Sequence, residues 1–242
     1  MSLLLFDIDG TLLLSGGAGM RAMTRAFQET FGVPNAFDGM PPAGRTDTFL
    51  LAGAFARAEV DDCPEHHARF RDAYVPILAD EIVKRGHGRY GVMPGIDALL
   101  QSLRSQGGWH LALLTGNYES AARVKLRHFG LDRYFDWGVF GEESGDRRVL
   151  GRIALERARL RDIPEASCAA AVVVGDTPDD IACAHAVGAR SLAVATGSFT
   201  VDELTAAGAH VALVDLSDTE NVLRALGARL AEAPGSRTQP AP

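Results

Sequence analysis

Lysine is almost missing from this chain. Of its 24 basic side chains only Lys84 and Lys125 are lysines, so chemistry that requires an amine has two places to reside. Cysteine is nearly as scarce. Cys63, Cys168 and Cys183 are odd in number, scattered and without metal-ligand spacing. This excludes a disulfide framework and fits small buried thiols in a reduced, cytoplasmic chain. The seven histidines (His66, His67, His87, His110, His128, His185, His210) show no ligand pairing and read as surface or packed residues. No apolar run reaches membrane length, so no membrane partner is expected. The opening run lacks a basic flank and is cut short by Asp7, so no secretory signal is expected. Positive charge is in deficit: the net charge is -7 and the pI about 5.5, which argues against nucleic acid as a partner. What remains is ordinary globular composition, 47% hydrophobic and 23% charged over 242 residues, enough for a core with a smaller inserted unit.

The first dozen residues carry the most information. Leu3 to Phe6 form a continuous apolar run, which predicts a strand buried on both faces. It ends in Asp7-Ile8-Asp9-Gly10-Thr11. The Gly-rich piece that follows, Leu13 to Gly19, does not have dinucleotide-fingerprint spacing and reads as a flexible exit from the core. Residues 18 to 88 then read as helical. Met20, Met23, Phe27 and Phe31 recur at helical spacing, as do Leu51, Ala54, Phe55 and Ala58, and then Phe70, Tyr74, Ile77 and Leu78. From residue 92 strands and helices alternate. Strands are predicted at 109–115, 137–140, 169–174, 191–195 and 210–214, with helices at 119–129, 150–160, 181–187 and 222–230. Alternation of this kind implies a mostly parallel sheet covered on both faces. The expected fold is therefore α/β, with a Rossmann-like core of residues 1–14 and 92–232, a helical insertion at 15–91, and a tail at 233–242 without core-forming residues.

Three predicted strands end in polar residues: Asp7-Ile8-Asp9, Leu114-Thr115-Gly116-Asn117 and Gly175-Asp176-Thr177-Pro178-Asp179-Asp180. Parallel strands place their carboxyl ends on one side, so Asp7, Thr115 and Asp176 are expected together. Such a carboxylate cluster repels itself, and a divalent cation relieves the repulsion. All-oxygen ligands point to Mg²⁺, and Mg²⁺ to a phosphate partner. Asp7 then suits nucleophilic attack and Asp9 general acid/base work. Thr115, with backbone N–H groups near Gly116 and Asn117, opens a helix suited to an anion. A purely structural account is open for part of this set: Thr177 as N-cap, Pro178 as first helical residue and Asp180 as capping acid.

These three segments, in this order and at these wide spacings, resemble motifs I, II and IV of the haloacid dehalogenase (HAD) superfamily. The insertion after the first motif resembles that family's C1 α-helical cap, as in the phosphoglycolate phosphatase/β-phosphoglucomutase branch. The resemblance implies an aspartyl-phosphate on Asp7, acid/base work by Asp9 with its carbonyl on Mg²⁺, and phosphoryl binding by Thr115. It also implies Asp176 as a metal ligand, with Asp180, and Asp179 behind it, on metal-bound waters. The family's third motif requires a cation before the last catalytic strand. Gly145-Asp146-Arg147-Arg148 occupies that region, with Arg147 favoured, Arg148 next to it, and Lys125 an outside candidate whose ordinary reading is a solvated helix face.

Gly44-Arg45-Thr46-Asp47 resembles a cap segment that faces the active site in this branch. Two readings stand side by side. Arg45 and Thr46 bind the substrate, or Thr46 caps a helix with Asp47 in its first turn and Arg45 in solvent. The expectation is a Mg²⁺-dependent phosphatase acting on a small phosphorylated metabolite, as monomer or homodimer. A phosphomutase built on the same residues is the first rival, and a non-catalytic binding protein on the same fold the second.

Overall fold

The apolar run that opens the chain becomes a central strand. The computed structural model describes residues 2–86 and 88–227. In chain order the elements are β1 (Ser2–Phe6), β2 (Leu13–Ser15), α1 (Ala18–Phe31), α2 (Asp47–Ala58), α3 (Pro64–Ile82), β3 (Tyr90–Val92), α4 (Ile96–Gln106), β4 (Trp109–Leu114), α5 (Glu119–His128), β5 (Gly138–Val139), α6 (Arg147–Leu160), α7 (Glu165–Ala169), β6 (Val172–Gly175), α8 (Pro178–Ala186), β7 (Arg190–Val194), α9 (Val201–Ala206), β8 (Val211–Leu213) and α10 (Thr219–Leu226). Six strands form one parallel sheet in the order β5-β4-β1-β6-β7-β8. The expectations for His87, for the tail at 233–242 and for the end of the last helix at 228–230 lie outside the described residues.

β1 sends alternate side chains to opposite faces, as a strand must. Leu4 and Phe6 pack with Ile96, Leu99, Leu100 and Leu103 of α4 and with Val222, Leu223 and Leu226 of α10. Leu3 and Leu5 pack on the other face with Leu150, Ala154 and Ala158 of α6 and with Cys183 and Ala184 of α8. Both faces are covered, which explains why β1 reads as a continuous apolar run and not an alternating one.

The helices α1, α2 and α3 build a separate apolar cluster around Phe27, Phe55, Phe70, Tyr74 and Leu78. α5 borders both clusters. Its Ala122 and Leu126 belong to the sheet core, whereas Ala121 and the preceding Tyr118 join the helical cluster. Where α1–α3 leave and rejoin the sheet region, the structure departs from the expected flexible exit. β2 and β3 pair antiparallel, Leu13 with Val92, Leu14 with Gly91 and Ser15 with Tyr90. Two segments crossing the same gap satisfy each other's backbone groups, which isolated loops leave to water.

Other differences lie at element ends. α6 begins at Arg147 rather than Leu150 because Asp146 caps it, its carboxylate accepting from Arg148 N at 2.9 Å. α8 begins at Pro178, behind a capping box in which Thr177 and Asp180 each accept from the other's backbone N–H. α7 and α9 span five and six residues, too short to carry a readable apolar period. Among the described residues no helix is long and apolar enough to cross a membrane.

Phe27 tests the helical cluster. It is fully buried and its ring lies 4.8–6.3 Å from those of Phe31, Phe37, Phe55 and Phe70. Phe27→Ala is expected to cost about 3–5 kcal/mol, read as a lower urea midpoint; an unchanged midpoint would show the ring to be dispensable.

Candidate active site

The sheet order places β4, β1 and β6 side by side, so their carboxyl ends meet. The backbone continues the pairing one residue beyond the strands: Asp7 N donates to Val174 O at 2.9 Å and Thr115 N to Val139 O at 3.1 Å. Asp7, Thr115 and Asp176 are all buried there. Carboxylate oxygens of Asp7, Asp176 and Asp180 lie within 4.8 Å of one another.

Close backbone approach makes this crowding feasible. Gly10 has φ 84°, and a Cβ there would overlap the Asp176 carboxylate. Gly116 lies directly under the loop before α2, where a Cβ would run into the carbonyl of Arg45. Thr11 Oγ1 donates to Asp176 Oδ1 at 3.3 Å. Asp180 divides its two oxygens. Oδ2 accepts from Thr177 N at 3.0 Å and from Thr177 Oγ1 at 2.7 Å within the capping box. Oδ1 turns toward the cluster, 2.5 Å from Arg147 Nη2 in an ion pair without hydrogen-bond geometry.

The cations separate clearly. Arg147, buried at the first position of α6, places Nη2 2.8 Å from Asp7 Oδ1. Arg148 is exposed, its Nε 3.8 Å from Asp146. Lys125 is the correction. It is not on a solvated helix face: it is 4% exposed, and its Nζ donates to Asp9 Oδ2 and to Asn117 Oδ1, each at 2.6 Å. The buried face of α5 comprises Ala121, Ala122, Lys125 and Leu126, so Lys125 stands one turn beyond two buried alanines.

The segment 44–47 combines its two readings. Thr46 caps α2, accepting from Phe49 N at 3.1 Å, and it does not line the cavity. Its hydroxyl is enclosed between α2 and the 141–145 loop, donating to Gly145 O at 3.4 Å, which is the capping alternative of the two readings. Asp47 is buried and accepts from Tyr118 N at 2.9 Å, while its own N–H donates to Gly116 O at 2.7 Å. Arg45 is exposed at the mouth of the cavity, its guanidinium 4.9 Å from the Phe49 ring centroid. Asn117 lines the cavity, but its amide is engaged: Nδ2 donates to Asp9 Oδ2 and to Thr115 Oγ1, both at 2.8 Å. Asp179 stays outside the carboxylate cluster and packs on Gly44.

The cavity measures about 380 Å³. Asp7, Asp9, Asp176 and Arg147 line its floor, with Lys125 and Asp47 also reaching it. Met20, Met23 and Leu50 contribute apolar wall from α1 and α2.

The family model of haloacid dehalogenase-like hydrolases matches residues 1–188. The chain belongs to this family. It is 30% identical over 197 residues to a phosphoglycolate phosphatase of Cereibacter sphaeroides, covering 76% of this chain and 81% of that one. It is 28% identical over 226 residues to the tyrosine-protein kinase PtkA of Mycobacterium tuberculosis, covering 88% and 70%. Among solved structures, CbbY from Rhodobacter sphaeroides in complex with xylulose-(1,5)bisphosphate superposes with a TM-score of 0.69 at 21% identity, over 90% of this chain and 96% of that one.

The electrostatics of this hydrolase show why its carboxylate cluster favours added positive charge. Burial, and then Asp180 and Asp7 beside it, push the Asp176 carboxyl up to about 9, with Arg147 pulling the other way. Burial pushes Asp7 up to about 6; Arg147 opposes this, while Asp180 and Asp9 add to it. Burial works against the Arg147 charge, but Asp180 and Asp7 outweigh it and raise its pKa. One guanidinium thus serves three buried carboxylates. A hard divalent cation fits this all-oxygen set. Burial likewise pushes Asp47 up to about 6, against the charge of Lys125. Sequence reasoning did not assign Asp47 or Arg89 to the site. The first stands in the Arg-Thr-Asp segment; the second sits in a Gly-rich stretch with no signal, donating to Thr196 O at 2.7 Å.

The raised carboxyls fix the sign of a pH dependence. The unfolded chain releases these protons near the ordinary carboxylate value, whereas the folded, metal-free chain holds them. The contribution of these two groups to stability is therefore fully present below about pH 4 and is lost as pH rises through 6 toward 9. Metal-free protein is expected to melt at a lower temperature at pH 8 than at pH 5.5. A saturating divalent cation, worth about 2.7 kcal/mol at one hundred times its Kd, should restore more at pH 8. Equal melting temperatures at both pH values in EDTA would contradict this account of the cluster.

Proposed function

We propose that this hydrolase of phosphoric monoesters depends on Mg²⁺, forms an aspartyl-phosphate on Asp7 and acts on a small phosphorylated metabolite. The observation that carries the reading is the division of labour between two neighbouring aspartates. Asp7 is buried beside Arg147. Asp9 has one oxygen tied to Lys125 and Asn117 and a side chain still 39% exposed at the cavity. Asp7 attacks phosphorus, and Arg147 offsets the charge that develops on the phosphoryl oxygens. Asp9 gives a proton to the departing oxygen and takes one from the water that later cleaves the intermediate. Thr115 Oγ1 already accepts from Asn117 N and Nδ2, so its own proton is left to donate to a phosphoryl oxygen. Asp7, the carbonyl of Asp9 and Asp176 would hold Mg²⁺, with Asp180 beside them; the ion supplies charge neutralisation and orientation.

Residues 15–91 act in this reading as the cap over the cavity, excluding water during attack. Arg45 at the mouth suits a second anionic group on the substrate, as a phosphoglycolate-like ester or a sugar phosphate provides. Three free cysteines agree with a cytoplasmic location.

The test is phosphate release from a panel of phosphorylated metabolites with Mg²⁺ and with EDTA. Turnover of at least one monoester, abolished by EDTA, is expected; failure on every ester with Mg²⁺ would overturn the assignment. Asp7→Asn should lower kcat by about a thousandfold or more with the thermal midpoint retained. Recovery of an isomerised sugar phosphate instead of free phosphate would identify a phosphomutase.

A further inference from the structure

The two lysines of this chain have separate fates. Lys84 is half exposed and pairs with Glu81 on the surface. Lys125 is buried at the cavity wall, and neither the attack by Asp7 nor the carboxylate cluster employs it. Its ammonium group has two close partners, Asp9 Oδ2 and Asn117 Oδ1, each at 2.6 Å. Asn117 closes the circuit by donating from Nδ2 to the same Asp9 oxygen at 2.8 Å and to Thr115 Oγ1 at 2.8 Å. A continuous chain Lys125–Asn117–Thr115 therefore braces one oxygen of one aspartate. The brace is itself enclosed: Lys125 is 4% and Asn117 6% exposed.

We infer that Lys125 is a positioning residue that dictates which oxygen of Asp9 exchanges protons with the substrate. The inference rests on the acid/base reading of Asp9 above. Two donors converge on Oδ2, so a protonated Asp9 can carry its hydrogen only on Oδ1. Among the described residues Oδ1 receives no hydrogen bond, and Asp9 faces the cavity through the exposed part of its side chain. The step is balanced. The Asp7 carboxylate forms a bond to phosphorus, the bond from phosphorus to the ester oxygen breaks with its electron pair on oxygen, and the proton on Asp9 Oδ1 passes to that oxygen. Without Lys125 the Asp9 carboxyl group keeps only the Asn117 amide, which has itself lost the ammonium on its Oδ1, so one lone pair of Oδ2 is freed and the proton is no longer confined to Oδ1.

The position of the ammonium adds a second link. A Cβ placed on Gly19 of α1 would lie 3.6 Å from Lys125 Nζ and 3.8 Å from the Tyr74 hydroxyl, so the ammonium sits on the seam between α5 and the α1–α3 cluster. The aspartate that handles the proton is thus aligned by a side chain whose own enclosure depends on the helical unit.

The experiment exploits leaving-group chemistry. A p-nitrophenolate leaves as a stable anion and requires no proton, whereas an alkoxide requires one. Compared through kcat/KM, which reports the first irreversible step, Lys125→Met is expected to lose at least tenfold more on an alkyl phosphate than on p-nitrophenyl phosphate. In an Asp9→Ala background the same substitution should add no further selective loss, because the group it positions is gone. Lys125→Gln, which keeps a donor without the charge, should fall between. Equal losses on the two esters, or a selective loss that persists without Asp9, would overturn the inference. The crystal structure of Lys125→Met decides the point independently of turnover. The Asp9 carboxylate is expected in more than one orientation, and a single unchanged one would refute the positioning role, even were the acid/base reading itself to fail on the wild-type protein.

Discussion

Three buried carboxylates sharing one guanidinium set the terms for the rest of this molecule. Two like charges 4 Å apart repel by about 4 kcal/mol at an effective dielectric of 20, while a whole domain is stable by only about 5–15 kcal/mol. Asp7 and Asp176 stand together because parallel pairing of β1 and β6 brings their carboxyl ends side by side, and the capping box at the start of α8 adds Asp180. The surroundings then moderate the cost. The capping box holds one oxygen of Asp180, Thr11 donates to Asp176, and α6 begins one residue after its cap so that Arg147 is directed inward. The cluster is a receptacle for positive charge before it is anything else.

A second feature is the pairing of each aspartate of the opening motif with its own cation. Asp7 faces Arg147 from α6; Asp9 faces Lys125 from α5. Two residues apart in sequence, they pair with different cations, although the Asp9 charge still adds to the raised pKa of Asp7. Arg147 stands within the Asp7–Asp176–Asp180 cluster. Lys125 belongs to a polar network continuous with Thr115 and lies against the helical unit.

Much of this was legible in the sequence, for identifiable reasons. A four-residue apolar run closed by Asp-Ile-Asp reports a strand buried on both faces, and the polar ends at Thr115 and Asp176 follow from the same grammar. Alternating elements after residue 92 report the sheet. The Lys125 environment was legible only in part. A helix over 119–129 was evident, but its burial on two sides depends on α5 lying between the sheet core and the α1–α3 cluster, and a single helix pattern does not encode a second neighbour. Ala121 and Ala122 one turn before Lys125 were the available signal. The β2–β3 pairing was illegible because it joins two three-residue segments, one of them with a glycine at its centre, and neither has an alternation long enough to read. Thr46 carried a true cap signal that competed with a family likeness, and the cap prevailed.

The sheet's connectivity also bears on how the chain reaches this state. β1 is complete by Phe6, yet its partners are distant: Leu4 lies opposite Leu111 on one side and Val172 on the other. The helices α1–α3 draw on contacts much closer in sequence, and local structure forms faster than long-range strand pairing. A growing chain therefore carries Asp7 on an apolar strand whose partners are added only with β4 and then β6. The strand that closes the site, β6, comes only after everything that surrounds the cavity on the helical side. The sheet edge that holds Asp7 thus acquires its environment later than the α1–α3 cluster does, although its first residue is among the first made.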